Sequence, residues 1–193
     1  MELDEADSFP FHAGDPTLVL DQVEQFLTGM RASPALDRTL ATVLMTDIVD
    51  STGCAARLGD HRWLELRAAH DRLAREQIAR YRGREVDATG DGFLALFDGP
   101  TRAVTCAAET TQRVRALGLE IRAGLHTGEV EFVDGNPGGI ALHIASRVMV
   151  AAANGGVYAS STVHDLVVGS GMEFAERGRH KLKGVPGEWA VKR

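Results

Sequence analysis

The first sustained apolar run, residues 40–45, carries no charge and ends on Thr46-Asp47. That pattern predicts a buried strand closed by polar residues. Ser51 and Thr52 follow it and can begin a helix. Trp63, Leu66, His70, Leu73, Gln77 and Tyr81 then recur at helical spacing, with arginines and acids between them, which predicts one face of a long helix. Residues 85–98 are extended on either side of Gly90-Asp91-Gly92 and predict a hairpin. Residues 101–117 are helical by their alanines and valines, and residues 119–125 and 130–133 read as two strands joined by His126-Thr127-Gly128-Glu129. A helix over 140–153 is stopped by Asn154-Gly155-Gly156. Residues 157–160 are extended, 163–168 helical, and 174–191 a strand pair around Gly184-Val185-Pro186-Gly187. The order β-αα-β-β-α-β-β-α-β-α-β-β predicts an α+β fold, a ferredoxin-like, mostly antiparallel sheet with packed helices.

Residues 1–38 read as an N-terminal extension, and 39–193 as the main domain. Asp15-Pro16 supplies a cap and a first-turn proline for a short helix ended by Gly29, with Val19, Val23, Phe26 and Leu27 as its apolar stripe. Such a stripe calls for a partner surface. The 193 residues allow one sizeable core. A net charge of −6 gives no footprint for nucleic acid, so an acidic chain that handles nucleotides must concentrate a few cations locally. Cys54 and Cys106 cannot form a disulfide scaffold and read as reduced thiols of a cytoplasmic protein. The acidic N-terminus has no signal-peptide pattern. The richest apolar stretch, 140–153, is broken by His143 and Arg147 and is too short to span a membrane.

Asp47 at a strand end and Asp91 in a hairpin turn are two carboxylates that neighbouring strands can bring together to hold hard cations against phosphate oxygens. Five motifs then stand in order: Thr46-Asp47-Ile48, Thr89-Gly90-Asp91-Gly92-Phe93, Gly124-Leu125-His126-Thr127-Gly128-Glu129, His143-Ile144-Ala145-Ser146-Arg147 and Leu182-Lys183-Gly184-Val185-Pro186-Gly187. Together they resemble the catalytic domain of class III nucleotidyl cyclases, in the manner of the actinobacterial (mycobacterial-type) adenylyl cyclases. The resemblance covers residues 39–193.

It implies a head-to-tail homodimer that converts ATP to 3′,5′-cyclic AMP and pyrophosphate, with sites at the interface. One chain would supply Asp47 and Asp91 as ligands of two Mg²⁺ or Mn²⁺ ions, helped by the Ile48 carbonyl. Backbone N–H groups around Val49, Asp50, Ser51 and Thr52 would hold the triphosphate, with Arg122 as a further phosphate contact. The other chain would supply Arg147 against charge on the pentavalent phosphorus and Lys183 against the outer phosphates. His143 stands where the family usually has a ribose-orienting asparagine. The implied chemistry is in-line attack of the 3′-hydroxyl on the α-phosphate.

Without the resemblance, several of these residues have plainer readings. Asp50 reads as a cap or turn residue, Lys183 as a solvated turn lysine, and His126 as a hydrogen-bonded turn histidine. Arg147 is harder to read as surface, because Ile144, Val148 and Ala151 read as core beside it. His61, His70, His164 and His180 show no metal-ligand spacing, and no Gly-x-x-x-x-Gly-Lys is present.

The base-reading positions depart from the adenylyl cyclase pattern. Asp87 stands where a lysine usually reads adenine, and Asn136 where an aspartate does. An ionised Asp87 has no proton for adenine N1 but can accept from guanine N1–H and the 2-amino group. Asp50 replaces a common glycine and adds charge beside the phosphates. The alternatives to an ATP-using cyclase are therefore a guanylyl cyclase and a weakly active, nucleotide-binding regulatory domain.

Overall fold

The computed structural model describes residues 26–27, 38–88, 90–133 and 135–193. The helix expected between Asp15 and Gly29, with Val19 and Val23 in its stripe, lies outside the described residues except for Phe26 and Leu27, which are helical. Thr89 and Asp134 also lie outside them. Contacts divide the chain between Asp37 and Arg38, and the elements below all belong to the unit Arg38–Arg193.

That unit runs β1 (Arg38–Ile48), α1 (Ser51–Leu58), α2 (Asp60–Arg80), β2 (Arg84–Ala88), β3 (Phe93–Phe97), α3 (Pro100–Arg115), β4 (Ile121–Val133), β5 (Asn136–Gly138), α4 (Ile140–Ala151), β6 (Gly156–Ser160), α5 (Ser161–Leu166), β7 (Glu176–His180) and β8 (Trp189–Lys192). One sheet has the order β2-β3-β1-β4-β6-β8-β7, with β5 paired to β4. Every pairing is antiparallel except β4 with β6. This is the α+β, antiparallel-dominated architecture that the sequence predicts.

Alternation along β1 separates the two faces of the sheet. Leu44 joins Ala74 and Ile78 of α2 and Ala103, Cys106 and Ala107 of α3 in one core. Its neighbour Val43 points the other way, into a core with Ala141 and Ala145 of α4. Helix α4 approaches β4 so closely that a Cβ on Gly124 would stand 2.3 Å from the Met149 nitrogen and 2.4 Å from the Ala145 oxygen. Burial raises the Cys106 thiol to about 11, which leaves it protonated and inert.

One expectation is corrected. The strands around His126-Thr127-Gly128-Glu129 are a single strand, β4, because β1 is long enough to pair with it continuously from Arg38↔Glu131 to Ile48↔Ile121. Gly128 makes no turn. It is a glycine between close neighbours, where a Cβ would lie 3.1 Å from His126 Nε2 and 3.2 Å from the Ala141 Cβ. His126 is therefore a buried strand residue, with Nδ1 2.8 Å from Ser160 Oγ and its ring edge-on to Trp189.

Burial lowers the His126 pKa to about 4. The unfolded chain, with an ordinary histidine pKa, binds this proton first as the pH falls, so stability is lost as pH drops below that value. Urea unfolding at pH 7 and pH 5 is expected to show a loss of roughly 2 kcal/mol from this group. His126→Gln should remove that increment, and an unchanged pH dependence in the variant would rule out His126 as its source.

Candidate active site

The end of β1 is where the chemistry gathers. Strands β1 and β3 pair with Met45 opposite Leu94, and their hydrogen bonding continues into the β2–β3 turn. The Ile48 N–H donates to the Asp91 carbonyl at 3.0 Å, and the Phe93 N–H donates to Thr46 Oγ1 at 3.1 Å. Between them, a Cβ on Gly92 would stand 1.9 Å from the Thr46 carbonyl oxygen. Only glycine lets the turn close onto the strand, and that closure brings Asp91 beside Asp47.

Asp47 is directly opposite Arg122 in the β1–β4 register. Arg122 Nε donates to Asp47 Oδ2 at 2.8 Å, and a terminal guanidinium nitrogen bonds the same oxygen. Burial nonetheless pushes the Asp47 carboxyl above its ordinary value; Arg122 opposes this, and the charge of Asp91 adds to it. Asp91 accepts a hydrogen bond from Ser51 Oγ at 2.6 Å. The sequence-predicted Asp47, Asp91, Ser51 and Arg122 thus form one linked group.

The start of α1 narrows the expected phosphate cradle. The Val49 N–H donates to the Glu120 carbonyl at 2.8 Å and is therefore engaged within the fold. No side chain caps α1, so the amides of its first turn, from Ser51 and Thr52 onward, are the ones that helix geometry leaves for a ligand. Asp50 adopts φ 53°, ψ 42°, a left-handed conformation that aspartate tolerates better than most residues. Its carboxylate leans over Gly53, where a Cβ would be 2.2 Å from Oδ2, and pairs with Arg57 at 3.1 Å. The extra negative charge at the start of α1 therefore has its own cation.

A cleft of about 340 Å³ opens here, lined by Ser51, Thr52, Ala55, Trp63, Arg67, Gly90 and Asp91. Sequence reasoning placed Trp63 on a helix face and gave Arg67 no role. Their spacing of one helical turn was visible, but not the element their face would meet.

The remaining predicted residues lie elsewhere on the unit. Ile144 and Val148 of α4 are buried as expected, whereas Arg147 is half-buried and its Nε donates to the Lys183 carbonyl at 3.1 Å. His143 is exposed on the same helix. Among the described residues, no hydrogen bond or ion pair joins Arg147 or Lys183 to the Asp47–Asp91 group. Asp87 is opposite Leu94, as is Met45 across β3, so it stands on the sheet face that carries Asp47 and Arg122. Asn136 begins β5, opposite Val133, and is exposed.

Two adjacent carboxylates, one with a raised proton affinity, are a hard oxygen donor set that suits Mg²⁺ or Mn²⁺. Among the described residues no group of three or more His, Cys, Asp or Glu side chains is placed to hold a metal. Phosphate oxygens and water would have to complete the shell.

No protein-family model matches the chain. The solved structure of the adenylyl cyclase CyaB from P. aeruginosa matches it with a TM-score of 0.73 at 19% identity, over 81% of this chain and 93% of that one. The fold is that of a class III nucleotidyl cyclase catalytic domain. The guanylate cyclase domain of RhGC from Catenaria anguillulae, solved in complex with GTP, matches with a TM-score of 0.68 at 19% identity, over 79% of this chain and 94% of that one. Among curated proteins, "Putative adenylate cyclase 3" of Rhizobium meliloti is 27% identical over 163 residues, 80% of this chain and 28% of that protein. An uncharacterized protein of Mycobacterium tuberculosis is 31% identical over 163 residues, 78% of this chain and 54% of its own length. The cyclase-fold chain therefore spans about half, or less, of these curated relatives. Adenylyl and guanylyl cyclases both appear among the matching structures, so the cyclase fold by itself does not choose the base.

A cation that binds the folded site raises the melting temperature by mass action. Millimolar Mn²⁺ with a nucleoside triphosphate is expected to raise the melting temperature of the natural chain. Asp47→Ala and Asp91→Ala should each abolish the part of that shift that depends on Mn²⁺. An equal Mn²⁺ shift in all three proteins would remove these carboxylates from the metal site.

Proposed function

We propose that residues 39–193 form a nucleotidyl cyclase domain, preceded by an extension over 1–38, which acts as a head-to-tail homodimer on ATP. The observation that carries this reading is the apposition of Asp47 and Asp91 at the end of β1, with Ser51 and Arg122 attached to them, in a fold shared with solved cyclases. Asp47, Asp91 and the Ile48 carbonyl would hold two Mg²⁺ or Mn²⁺ ions. When bound, such ions neutralise phosphate charge and favour ionisation of the ribose 3′-hydroxyl.

The chain's own residues then divide the remaining work. The amides of Ser51 and Thr52 orient the triphosphate along the axis of α1, where the helix dipole favours anions. Arg122 exchanges part of its bond to Asp47 for a phosphate oxygen. Arg147 and Lys183 come from the second copy. Among the described residues no hydrogen bond or ion pair links them to the carboxylates, and the Lys183 carbonyl already holds the Arg147 side chain at Nε while leaving its terminal nitrogens for a phosphate. A guanidinium so placed stabilises charge that grows on the phosphorus during in-line attack. His143, exposed one turn before Arg147, would orient the ribose.

Asp87 supports a second reading, with GTP as substrate. It is an acceptor where adenine N1 requires a donor, and mispaired polar groups typically cost about 1–3 kcal/mol. Metal, phosphate and ribose contacts are common to both nucleotides, so the base pocket alone sets their ratio. A regulatory domain with little turnover is disfavoured by Arg147, a residue that a binding module does not need.

Chromatography of the products formed from ATP and from GTP in Mn²⁺ tests the proposal. Cyclic nucleotide and pyrophosphate are expected from ATP, with discrimination against GTP weaker than a lysine–aspartate pair would give. Absence of both cyclic products from a folded dimer would refute cyclase activity. Asp87→Lys combined with Asn136→Asp should raise the ATP/GTP ratio of kcat/KM by about tenfold or more. Strong ATP preference in the natural chain, unchanged by the double substitution, would show that these positions do not read the base.

A further inference from the structure

Helix α2 carries an arginine that the proposed cyclase machinery does not use. Arg67 is half-buried and lines the cleft together with Ser51, Thr52 and Asp91. Arg57 is paired with Asp50, Arg75 with Glu85 at 3.0 Å, and Arg80 lies over the Tyr81 ring. Among the described residues, Arg67 has no hydrogen bond and no acidic partner within ion-pair distance. Arg62 and Arg72 of the same helix are likewise without a hydrogen bond or acidic partner among the described residues, but both are exposed to water.

A guanidinium stays charged in any protein environment and presents a planar fork of donors. Partly withdrawn from water and without a partner, it carries a cost that a bound anion relieves. The cleft is also lined by Ser51 and Thr52 at the uncapped start of α1, whose first-turn amides have no partner within the helix. Two independent donor sets, from helices separated only by the break at Gly59, therefore face one cavity. A cavity of about 340 Å³ is at the small end of ligand sites. It suits a diphosphate group better than a whole nucleotide.

We propose that Arg67 is a phosphate-binding residue that holds the terminal, pyrophosphate end of the nucleotide in this cleft, on the same chain as Asp47 and Asp91. The inference deepens the cyclase reading and rests on it for the identity of the nucleotide. The binding of a diphosphate anion can be tested separately. Trp63, one helical turn before Arg67, lines the same cleft and serves as a fluorescent reporter.

Inorganic pyrophosphate with Mn²⁺ is titrated into the natural chain, Arg67→Gln and Arg67→Lys, following heat and tryptophan fluorescence, with adenosine as a phosphate-free control. Arg67→Gln is expected to weaken pyrophosphate binding about tenfold or more, as loss of a charged hydrogen bond does. Arg67→Lys should recover part of it, and adenosine binding and the melting temperature should stay unchanged. Equal pyrophosphate affinity in Arg67→Gln and the natural chain overturns the inference, as does failure of the natural chain to bind pyrophosphate. If neither ATP nor GTP is cyclised while pyrophosphate binding still depends on Arg67, the cyclase reading fails and the phosphate site stands.

Discussion

The close approach of Gly92 to the Thr46 carbonyl is the contact on which the rest of the site depends. With no Cβ to hold them apart, the β2–β3 turn and the end of β1 share the Ile48–Asp91 backbone bond. Asp47 and Asp91 are then neighbours whether or not their charges favour it. Burial and the Asp91 charge both raise the Asp47 pKa, so the backbone holds the carboxylates in an arrangement that their electrostatics oppose. Arg122 and Ser51 offset part of that repulsion. A divalent cation between the carboxylates would relieve the remainder, and its affinity would then depend on backbone geometry at a single glycine.

The acidic chain places its cations individually around the end of β1 and the start of α1. Arg122 answers Asp47 and Arg57 answers Asp50. The added acid at the α1 turn is thereby tolerated, and Gly53 leaves the room its carboxylate needs. Arg147 is held instead by a backbone carbonyl, which fixes its direction without cancelling its charge. Among the described residues no hydrogen bond or ion pair joins the carboxylates to this charge, as the proposed sharing of a site between two copies requires.

Much of this was legible in the sequence because periodicity and turn chemistry are local signals. The uncharged run before Asp47 and the Gly-Asp-Gly turn around Asp91 each declare a strand end, and the order of elements follows from such signs. The resemblance added which strand ends belong together. The misreading of His126-Thr127-Gly128-Glu129 has a physical reason: its composition is that of a turn, and only the continuous ladder with β1 keeps it extended. The engaged amide of Val49 was equally invisible, because its acceptor, Glu120, is distant in sequence. Arg67 escaped notice because a helix face seen in sequence does not reveal what it faces. The rotation set by the break at Gly59 decides that.

The central claim, that the carboxylate pair and Arg147 serve one site from different chains, is tested most directly by mixing Asp91→Ala with Arg147→Ala. Each variant alone should be inactive. Random mixing gives half heterodimers, each with one intact site of two, so activity should recover to roughly a quarter of the natural level. An inactive mixture in which heterodimers are demonstrated by mass would contradict the shared site.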